Sequence, residues 1–277
     1  TGAEVVDEDT VHIMTEGPDP ILPSRLYWMK MVPPEASQSE DFASNPVGTG
    51  PYMLDAWNRG TSIDLVANPD YWGDAPEIQE AEFRFIGEFG TRLSSLLSGE
   101  TDLITNLLPE FVDSVPNAVA VSGLELPIII LDVDDGPTAD VRVRQALNLA
   151  VDKEALAQAL FAGYADVAQG QLMAPSFFGF NPEIEGYGYD PERARELIAE
   201  AGAEGVEIEL VGTAGRWLKD REIIEVVAAY WEEIGVTPNV RIFEFGEYLN
   251  RLFDPETRAD AIFIVSSNEL LDADRPL

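Results

Sequence analysis

The sequence predicts a protein of the α/β class. Its second half alternates strand-like and helix-like runs, with a strand near 206–211, a helix near 217–234, and strands near 239–243 and 260–265. Strand–helix–strand units of this kind imply a mainly parallel sheet covered by helices. The first half is instead rich in turn signals and short alternating strands. With 45 % hydrophobic residues among 277, the chain can bury a sizeable core.

The first half is expected to form short strands, turns and one short helix. A strand is predicted near 11–14, and alternating apolar residues predict further strands within 51–86. Leucines at helical spacing predict a helix near 90–98 that ends at Gly99. The aromatic cluster at 27–29 is interpreted as packing rather than ligand contact.

The second half carries the stronger helix signals. Residues 128–131 predict a buried strand, and the acidic segment 132–137 that follows marks a boundary between lobes. Asp140 is expected to cap a helix that runs to about residue 162. Asp190, followed by a proline, predicts the start of another helix, which ends at Gly202.

The charge balance is strongly acidic. The 51 Asp and Glu residues outnumber the 17 Lys and Arg residues, which gives a formal net charge of −34. Nucleic acids and anionic lipid headgroups bind through clusters of Lys and Arg, so no nucleic-acid partner is expected. Two interpretations stay open: a surface adapted to high salt in a halophilic source, or an acidic protein kept soluble and monomeric by its charge.

Cysteine is absent, which excludes a disulfide framework, a thiolate nucleophile and a cysteine-ligated metal. No run of residues approaches the roughly 18–20 apolar residues of a membrane span. The chain begins at Thr1 without a signal peptide, so we expect any targeting segment or lipid anchor to lie outside this sequence.

The residues do not form a recognisable catalytic or cofactor site. His12 is the only histidine, which excludes a multi-histidine metal site, and no serine lies in a nucleophile-elbow motif. His12 is interpreted as a half-buried strand residue. The segment with glycines at 48 and 50 lacks the lysine of a phosphate-binding loop. The acidic residues after Asp132 do not have the spacing of an EF-hand calcium loop. No cofactor is therefore expected.

Six segments, in order along the chain, resemble one known family. They are NPVGTGPY at 45–52, NPDYWG at 68–73, SGETD at 98–102, DVRVRQAL at 140–147 followed by AVDK at 150–153, the stretch from YDP at 189–191 through AG at 201–202, and IGV at 234–236. Together they resemble the peptide/nickel-type solute-binding proteins of ABC transporters, often called family 5. Each segment alone is moderately specific, and the ordered set is specific.

The resemblance implies a two-lobed, periplasmic-binding-protein-like clamshell of the class II type, here incomplete at both ends. Residues 1–127 would be part of the first lobe, and residues 128–277 part of the second. The lobes of this family join through paired hinge strands. The first crossing would fall near 128–136, with Leu131, Asp132 and Val133 as hinge residues.

Ligand-contacting residues are expected at the carboxyl ends of parallel strands and at helix N-termini, where backbone amides point outward. The loop after strand 206–211 offers Arg216 as a carboxylate clamp and Trp217 as a stacking face. Its alternative reading is a capped helix start with a solvated arginine and a packed tryptophan. Phe177 and Phe178 could line the cleft, with packing as the favoured alternative.

The end of strand 260–265 is the second expected contact region, with Ser266, Ser267, Asn268 and Glu269 as candidates. Peptide-binding relatives place an aromatic and then an acidic residue here, and the acid pairs with the peptide's amino terminus. Glu269 is the nearest acid in this sequence. The aromatic residue is absent, which leaves smaller polar ligands or sugars open.

The resemblance implies the extracytoplasmic solute-binding component of an ABC importer, which captures a peptide or other small polar solute without transforming it. The expected partner is an ABC permease in the membrane, and the expected state is a monomer. The protein would reside in the periplasm or at the cell surface, and a lipid anchor is left open. Two alternatives stay open: a carboxylate-dependent hydrolase, which 51 acidic residues permit, and a clamshell sensory or scaffold module.

Overall fold

A computed structural model describes residues 2–121, 123–168, 170–254, 257–267 and 270–273. The chain divides into two compact units, Thr1–Asp102 and Leu103–Leu277. The predicted lobe boundary near residue 128 lies inside the second unit, because Glu125–Leu131 is a strand of that unit's sheet. The assignment of 1–127 and 128–277 to two lobes of a longer protein stays a prediction.

The first unit contains short antiparallel strands and two helices. Its elements are β1 (Gly2–Val5), β2 (Val11–Met14), α1 (Leu22–Arg25), β3 (Tyr52–Asn58), β4 (Ser62–Ala67), β5 (Glu80–Arg84) and α2 (Phe89–Ser98). Strands β1 and β2 form one antiparallel pair, and β3, β4 and β5 form a separate antiparallel sheet. The predicted short strands and single longer helix of this half are thus present.

Helix α2 begins and ends where the sequence indicates. The carboxylate of Glu88 accepts hydrogen bonds from the amides of Gly90 and Thr91, which caps the amino end. Gly99 ends the helix in the left-handed conformation, with φ of 74°, and its amide returns to the carbonyl oxygen of Leu96. A glycine is favoured at this position because side chains make that conformation costly.

Two predictions about side-chain burial in the first unit are wrong. His12 is exposed on β2 rather than half-buried, because both faces of the β1–β2 pair are open within this unit. The aromatic cluster was expected to pack, but the exposed fractions of Tyr27, Trp28 and Met29 are 61 %, 51 % and 66 %. Alternation and aromatic content predict which residues are apolar, but they do not show what covers them.

The second unit is built on a four-stranded sheet of order β6–β9–β7–β8. Its elements are β6 (Glu125–Leu131), α3 (Val141–Leu149), α4 (Lys153–Phe161), α5 (Pro191–Ala201), β7 (Glu207–Thr213), α6 (Asp220–Glu233), β8 (Thr237–Phe243), α7 (Phe245–Phe253) and β9 (Ala261–Ser267). Strand β7 runs parallel to β8 and β9, and the edge strand β6 runs antiparallel to β9. The predicted mainly parallel sheet is present.

Helices cover both faces of this sheet. Ile208 and Leu210 of β7 belong to the larger core, together with buried residues of α3, α5 and α6. Val211, the residue after Leu210, belongs to a second core that contains Tyr248 of α7. Successive strand residues point to opposite faces, so β7 has hydrophobic cores on both sides. This arrangement fixes α6 and α7 on opposite faces.

The single helix predicted over 140–162 is two helices. Helix α3 ends at Leu149, and α4 begins at Lys153 because the carboxylate of Asp152 accepts a hydrogen bond from the amide of Ala155. The carbonyl oxygen of Leu149, which a continuous helix would use, accepts instead from the amide of Asp190. Apolar spacing continued across this break, so periodicity alone did not reveal it.

Gly212 allows α6 to lie close against β7. A Cβ atom added at this position would overlap Cδ1 of Ile224, a fully buried residue of α6. We expect Gly212→Ala to lower the free energy of unfolding by about 1–3 kcal/mol, the usual cost of overpacking a core. Urea unfolding monitored by tryptophan fluorescence measures this difference. Gly188→Ala is the matched control, since its added Cβ meets open space; equal losses in both variants would contradict the close-approach argument.

Candidate functional site

Three parallel strands end at one edge of the sheet in the second unit. We call this edge, marked by Thr213, Phe243 and Ser267, the carboxyl edge of the sheet. The antiparallel strand β6 begins there too, since Glu125 pairs with Ser267. In open α/β sheets, ligands bind at such edges because loops and helix N-termini converge there. The predicted contacts at 216–217 and 266–267 therefore share one edge of the sheet.

Residues 214–219, which we call the edge loop, are shaped by a buried carboxylate. Asp220 is only 3 % exposed. Its Oδ1 accepts a hydrogen bond of 3.0 Å from the amide of Gly215, and its Oδ2 accepts bonds of 2.9 Å from the amides of Arg216 and Trp217. The prediction that amides of this loop point outward is therefore wrong for these three residues, because their amides turn inward onto Asp220. Helix α6 accordingly begins at Asp220 rather than at 217.

Trp217 is half-buried and anchors the edge loop through its indole ring. The indole meets the rings of Phe245, Tyr248 and Phe263 edge to face, with centroid distances of 6.1, 6.2 and 6.2 Å. Such aromatic pairs are worth about 0.5–1.5 kcal/mol each beyond their buried area. Trp217 thus joins the loop to α7 and β9, and only part of the indole stays accessible to a ligand.

Arg216 presents the exposed positive charge of the edge loop. Its side chain belongs to an exposed residue, and its guanidinium carbon lies 5.4 Å from the ring centroids of both Trp217 and Phe245. Among the residues that the structure describes, no carboxylate lies within ion-pair distance of this guanidinium. The two rings orient the cation, and its donors remain available to an anionic group.

Helix α7, which also begins at this edge, was not predicted from the sequence. The hydroxyl of Tyr248 donates a 2.8 Å hydrogen bond to the carbonyl oxygen of Phe263, and burial raises the pKa of this phenol to about 12. Phe245 stacks on Tyr248 with a centroid distance of 6.0 Å. A usable signal was present: Glu244 caps the helix, and apolar residues follow at helical spacing at 245, 248, 249 and 252.

Lys219 closes the edge loop at its carboxyl end. Its ammonium group lies 2.7 Å from Oε1 of Glu110, a residue of the short 3-10 helix Pro109–Ser114, and 3.6 Å from Oε1 of Glu222. The Lys219 side chain is only 11 % exposed. Its hydrogen bond lowers the pKa of the Glu110 carboxyl. Lys219 itself has a positive φ of 58°, which is a strained conformation for a residue with a side chain.

The remaining predicted contact residues follow β9 or lie near the chain that follows it. Ser266 and Ser267 are half-buried at the end of β9. Asn268 and Glu269 lie outside the described residues. Phe177 is buried, whereas Phe178 is 80 % exposed.

Phe178 connects to the segment after β9 through its backbone. Its amide donates to the carbonyl oxygen of Leu271, and its carbonyl oxygen accepts from the amide of Ala273. The loop that carries both phenylalanines is thereby tied to the chain a few residues beyond Ser267. The structure gives Phe177 a packing position and leaves the ring of Phe178 accessible.

The predicted hinge residues all lie in the second unit. Leu131 pairs with Ala261 at the end of β6, and the amide of Asp132 donates to the carbonyl oxygen of Asp260. Val133 is 58 % exposed. The carboxylates of Asp132 and Asp134 lie 3.7 and 3.6 Å from Nη1 of Arg258. The role of these residues as a hinge stays a prediction.

The described ranges hold neither a candidate metal cluster nor a helix suited to spanning a membrane. No three His, Cys, Asp or Glu side chains there cluster closely enough to hold a metal ion. None of the helices in those ranges is both long and apolar enough to cross a bilayer.

The chain is similar to known proteins over nearly all of its length. Residues 1–274 match the family described as bacterial extracellular solute-binding proteins, family 5 Middle. The chain belongs to this family. Members of the family are binding proteins, and they are extracellular or periplasmic. The resemblance that the six ordered segments indicated is confirmed.

The relatives of this family 5 chain bind different molecules. It is 32 % identical over 231 residues to the dipeptide-binding protein of Escherichia coli, and 30 % identical over 240 residues to heme-binding protein A of Haemophilus influenzae. These matches cover 80 % and 81 % of this chain and 43 % of each relative. The chain thus spans less than half the length of either protein. Near-equal identity to both relatives leaves the class of solute undecided.

A solved structure shows the fold of this family. The periplasmic binding protein DppA from Helicobacter pylori, in complex with the peptide STSA, superposes with a TM-score of 0.86 at 24 % identity. The superposition covers 99 % of this chain and 55 % of that structure. The predicted α/β fold of the periplasmic binding proteins is confirmed.

The Glu110–Lys219 pair should make stability depend on pH. A lowered pKa means that the pair stabilises the folded chain above the ordinary Glu pKa of 4.5 and that this contribution is lost as the pH falls through the lowered value. Glu110→Gln should therefore cost about 0.5–1 kcal/mol at pH 7 and progressively less below pH 4.5. Urea unfolding at several pH values measures this. Glu222→Gln, which removes the more distant partner, should cost less at neutral pH; a larger loss there would contradict the assignment.

Proposed function

We propose that this protein is the solute-binding component of an ABC importer and that it captures a peptide or another small polar solute. The family match over residues 1–274 carries this proposal. The names of its relatives support it, since proteins similar to this chain are described as dipeptide-binding and heme-binding. The chain spans less than half of their length, so it would supply part of the capturing protein.

The solute would contact the carboxyl edge of the second unit's sheet. Arg216 and Trp217 would supply the charged and aromatic contacts, and Ser266 and Ser267 the hydroxyl groups. The accessible ring of Phe178 would provide an apolar surface near the chain that follows β9. Asn268 and Glu269, which directly follow Ser267, remain candidates from the sequence alone.

Arg216 favours a solute with an anionic group, such as a carboxylate. The chain holds 51 acidic residues against 17 basic ones, and most described arginines of the second unit pair with a carboxylate, whereas the exposed guanidinium of Arg216 has no carboxylate neighbour among the described residues. A guanidinium binds a carboxylate through two parallel hydrogen bonds, which adds geometric selectivity to charge attraction. Rings beside the guanidinium would contact an apolar part of the same solute.

The proposal is of binding without turnover. Nucleophilic catalysis of the serine type needs a base beside the nucleophile, and the sequence holds a single histidine, His12, which is exposed on β2. The serines at 266 and 267 lie at the end of β9. Hydrogen-bonding hydroxyls suit solute recognition, and the proposed role requires no chemical step.

The proposed partner is an ABC permease in the membrane, and the proposed location is the periplasm or cell surface. We infer a monomer, since a net charge of −34 opposes self-association except at high salt. Within this proposal, a lipid anchor would hold the protein at the membrane, and the acidic surface would suit a halophilic source. Co-purification with a permease distinguishes an importer from a sensory module of the same fold.

A thermal-shift screen of the full-length protein tests the proposal. The panel comprises dipeptides, tripeptides, oligosaccharides, nickel with histidine, and heme. A solute at 100 times its Kd should stabilise the folded protein by about 2.7 kcal/mol. Solutes recovered unchanged after incubation support binding without turnover, and hydrolysed solutes would contradict it.

Arg216→Gln should reduce the shift caused by a carboxylate-bearing solute, because it removes the charge and the paired donors but leaves the exposed loop intact. We expect a loss of about tenfold in affinity, measured by isothermal titration calorimetry. Arg221→Gln is the matched control, since Arg221 is an exposed arginine of α6 that pairs with Glu225. Equal affinity in both variants would show that the site is misplaced.

A further inference from the structure

The edge loop pairs three of its amides with a side chain of the same protein. Three consecutive amides, those of Gly215, Arg216 and Trp217, donate to the carboxylate of Asp220 over 2.9–3.0 Å. Amides clustered in this way form an anion-binding concavity, the arrangement that binds phosphate or carboxylate ligands in many proteins. Here the anion is the carboxylate of Asp220, a residue that is only 3 % exposed to solvent.

Both ends of the edge loop are fixed as well. Before the loop, the hydroxyl of the buried Thr213 donates a 3.0 Å hydrogen bond to the carbonyl oxygen of Phe243, the last residue of β8. At its end, Lys219 is held by Glu110. Between them, the indole of Trp217 is wedged among three rings. The exposed part of the loop is therefore short, and it carries the Arg216 side chain outward.

We propose that Asp220 is a positioning residue for solute recognition: it holds the edge loop in one conformation and reserves the amides of Gly215, Arg216 and Trp217, so that this part of the loop meets an anionic solute group through the Arg216 guanidinium. The proposal rests on the proposed function for its link to solute binding. Its structural part, the reserved amides, stands independently of any solute.

The physical reason concerns selectivity. Free amides in a concavity accept small anions of many shapes, including inorganic phosphate and sulfate. A guanidinium held in a fixed direction favours planar groups that accept two parallel hydrogen bonds, as a carboxylate does. By filling the concavity, Asp220 removes the less selective receptor and leaves the more selective one at the carboxyl edge.

The first test examines the loop without a solute. In Asp220→Ala, hydrogen exchange of the peptide that contains residues 213–219 should accelerate at least tenfold relative to the natural protein, while the peptide that contains α3 keeps its rate. Formate should then occupy the vacated concavity, slow the exchange of the loop again and raise the Tm of this variant by about 2–4 °C. Sodium chloride at equal ionic strength is the control for general salt effects.

Asp220→Asn serves as the second variant, because its side chain fills the space and leaves no room for formate. It should show faster exchange in the loop and no response to formate beyond that of the natural protein. Unchanged exchange in both variants, or an equal response of all proteins to formate and chloride, would overturn the proposal. If Asp220→Ala does not fold, the exchange result for Asp220→Asn decides alone.

The second test joins Asp220 to recognition through a double-mutant cycle, with the dipeptide Ala-Ala as the probe. Asp220→Asn should raise the Kd about tenfold in the natural background and less than about threefold in the Arg216→Gln background, because it acts through Arg216. In an Arg221→Gln background the full tenfold loss should remain. Equal losses in all backgrounds would overturn the positioning role.

The two tests separate the two proposals. A natural protein that shows no affinity for Ala-Ala would contradict peptide capture under the proposed function. Faster exchange and formate rescue in the Asp220 variants would still establish the reserved amides. Conversely, Ala-Ala binding with unchanged loop exchange would uphold the function and overturn the role of Asp220.

Discussion

The second unit depends on the burial of strand β7 on both faces. Ile208 and Leu210 contribute to one core and Val211 to the other, and all three are fully buried. A strand that is buried on both faces must be covered by helices on both faces of the sheet. The amino ends of α6 and α7 therefore both follow strands that end at the same edge of the sheet. The carboxyl edge of the sheet is thus a consequence of how the two cores pack.

A loop that leaves a buried strand must find partners for its backbone amides, because unpaired polar groups are costly where water is excluded. This acidic chain solves that problem repeatedly with its own carboxylates. Helix-capping carboxylates that accept from backbone amides occur at Glu88, Asp140, Asp152, Asp190 and Glu244. Asp220 differs from them because it is buried and collects three amides of the preceding loop. Part of the acidic composition is thus structural rather than a property of the solvated surface.

The acidic composition also determines how most basic residues are paired. Most arginines of the second unit that the structure describes have a carboxylate nearby, for example Arg193 with Glu196 and Glu200, and Arg241 with Glu209. Arg216 is instead oriented by aromatic rings. In the family to which the chain belongs, relatives of near-equal identity are named for a dipeptide and for heme. Under the proposed function, selectivity would come from a few side chains at the carboxyl edge rather than from the shared fold.

By itself, the sequence determined the family, through six ordered segments, and most of the strands and helices, through periodicity and capping residues such as Asp190 and Gly99. It also indicated that Arg216 and Trp217 follow a strand and that Ser266 lies near the end of another. These features are local or are shared along the family, so neighbouring residues are enough to specify them. They are also why the α/β class could be predicted before any contact was known.

Only the tertiary structure decided which groups those loops leave free. Asp220 reads in the sequence as one acid among 51, and its three amide partners become visible only when the loop folds back on it. The break between α3 and α4 likewise depends on Asp190, a residue about forty positions away in the chain, whose amide takes the carbonyl of Leu149. Burial and hydrogen-bond partners depend on residues distant in sequence, and a single sequence records residue types without recording those distances.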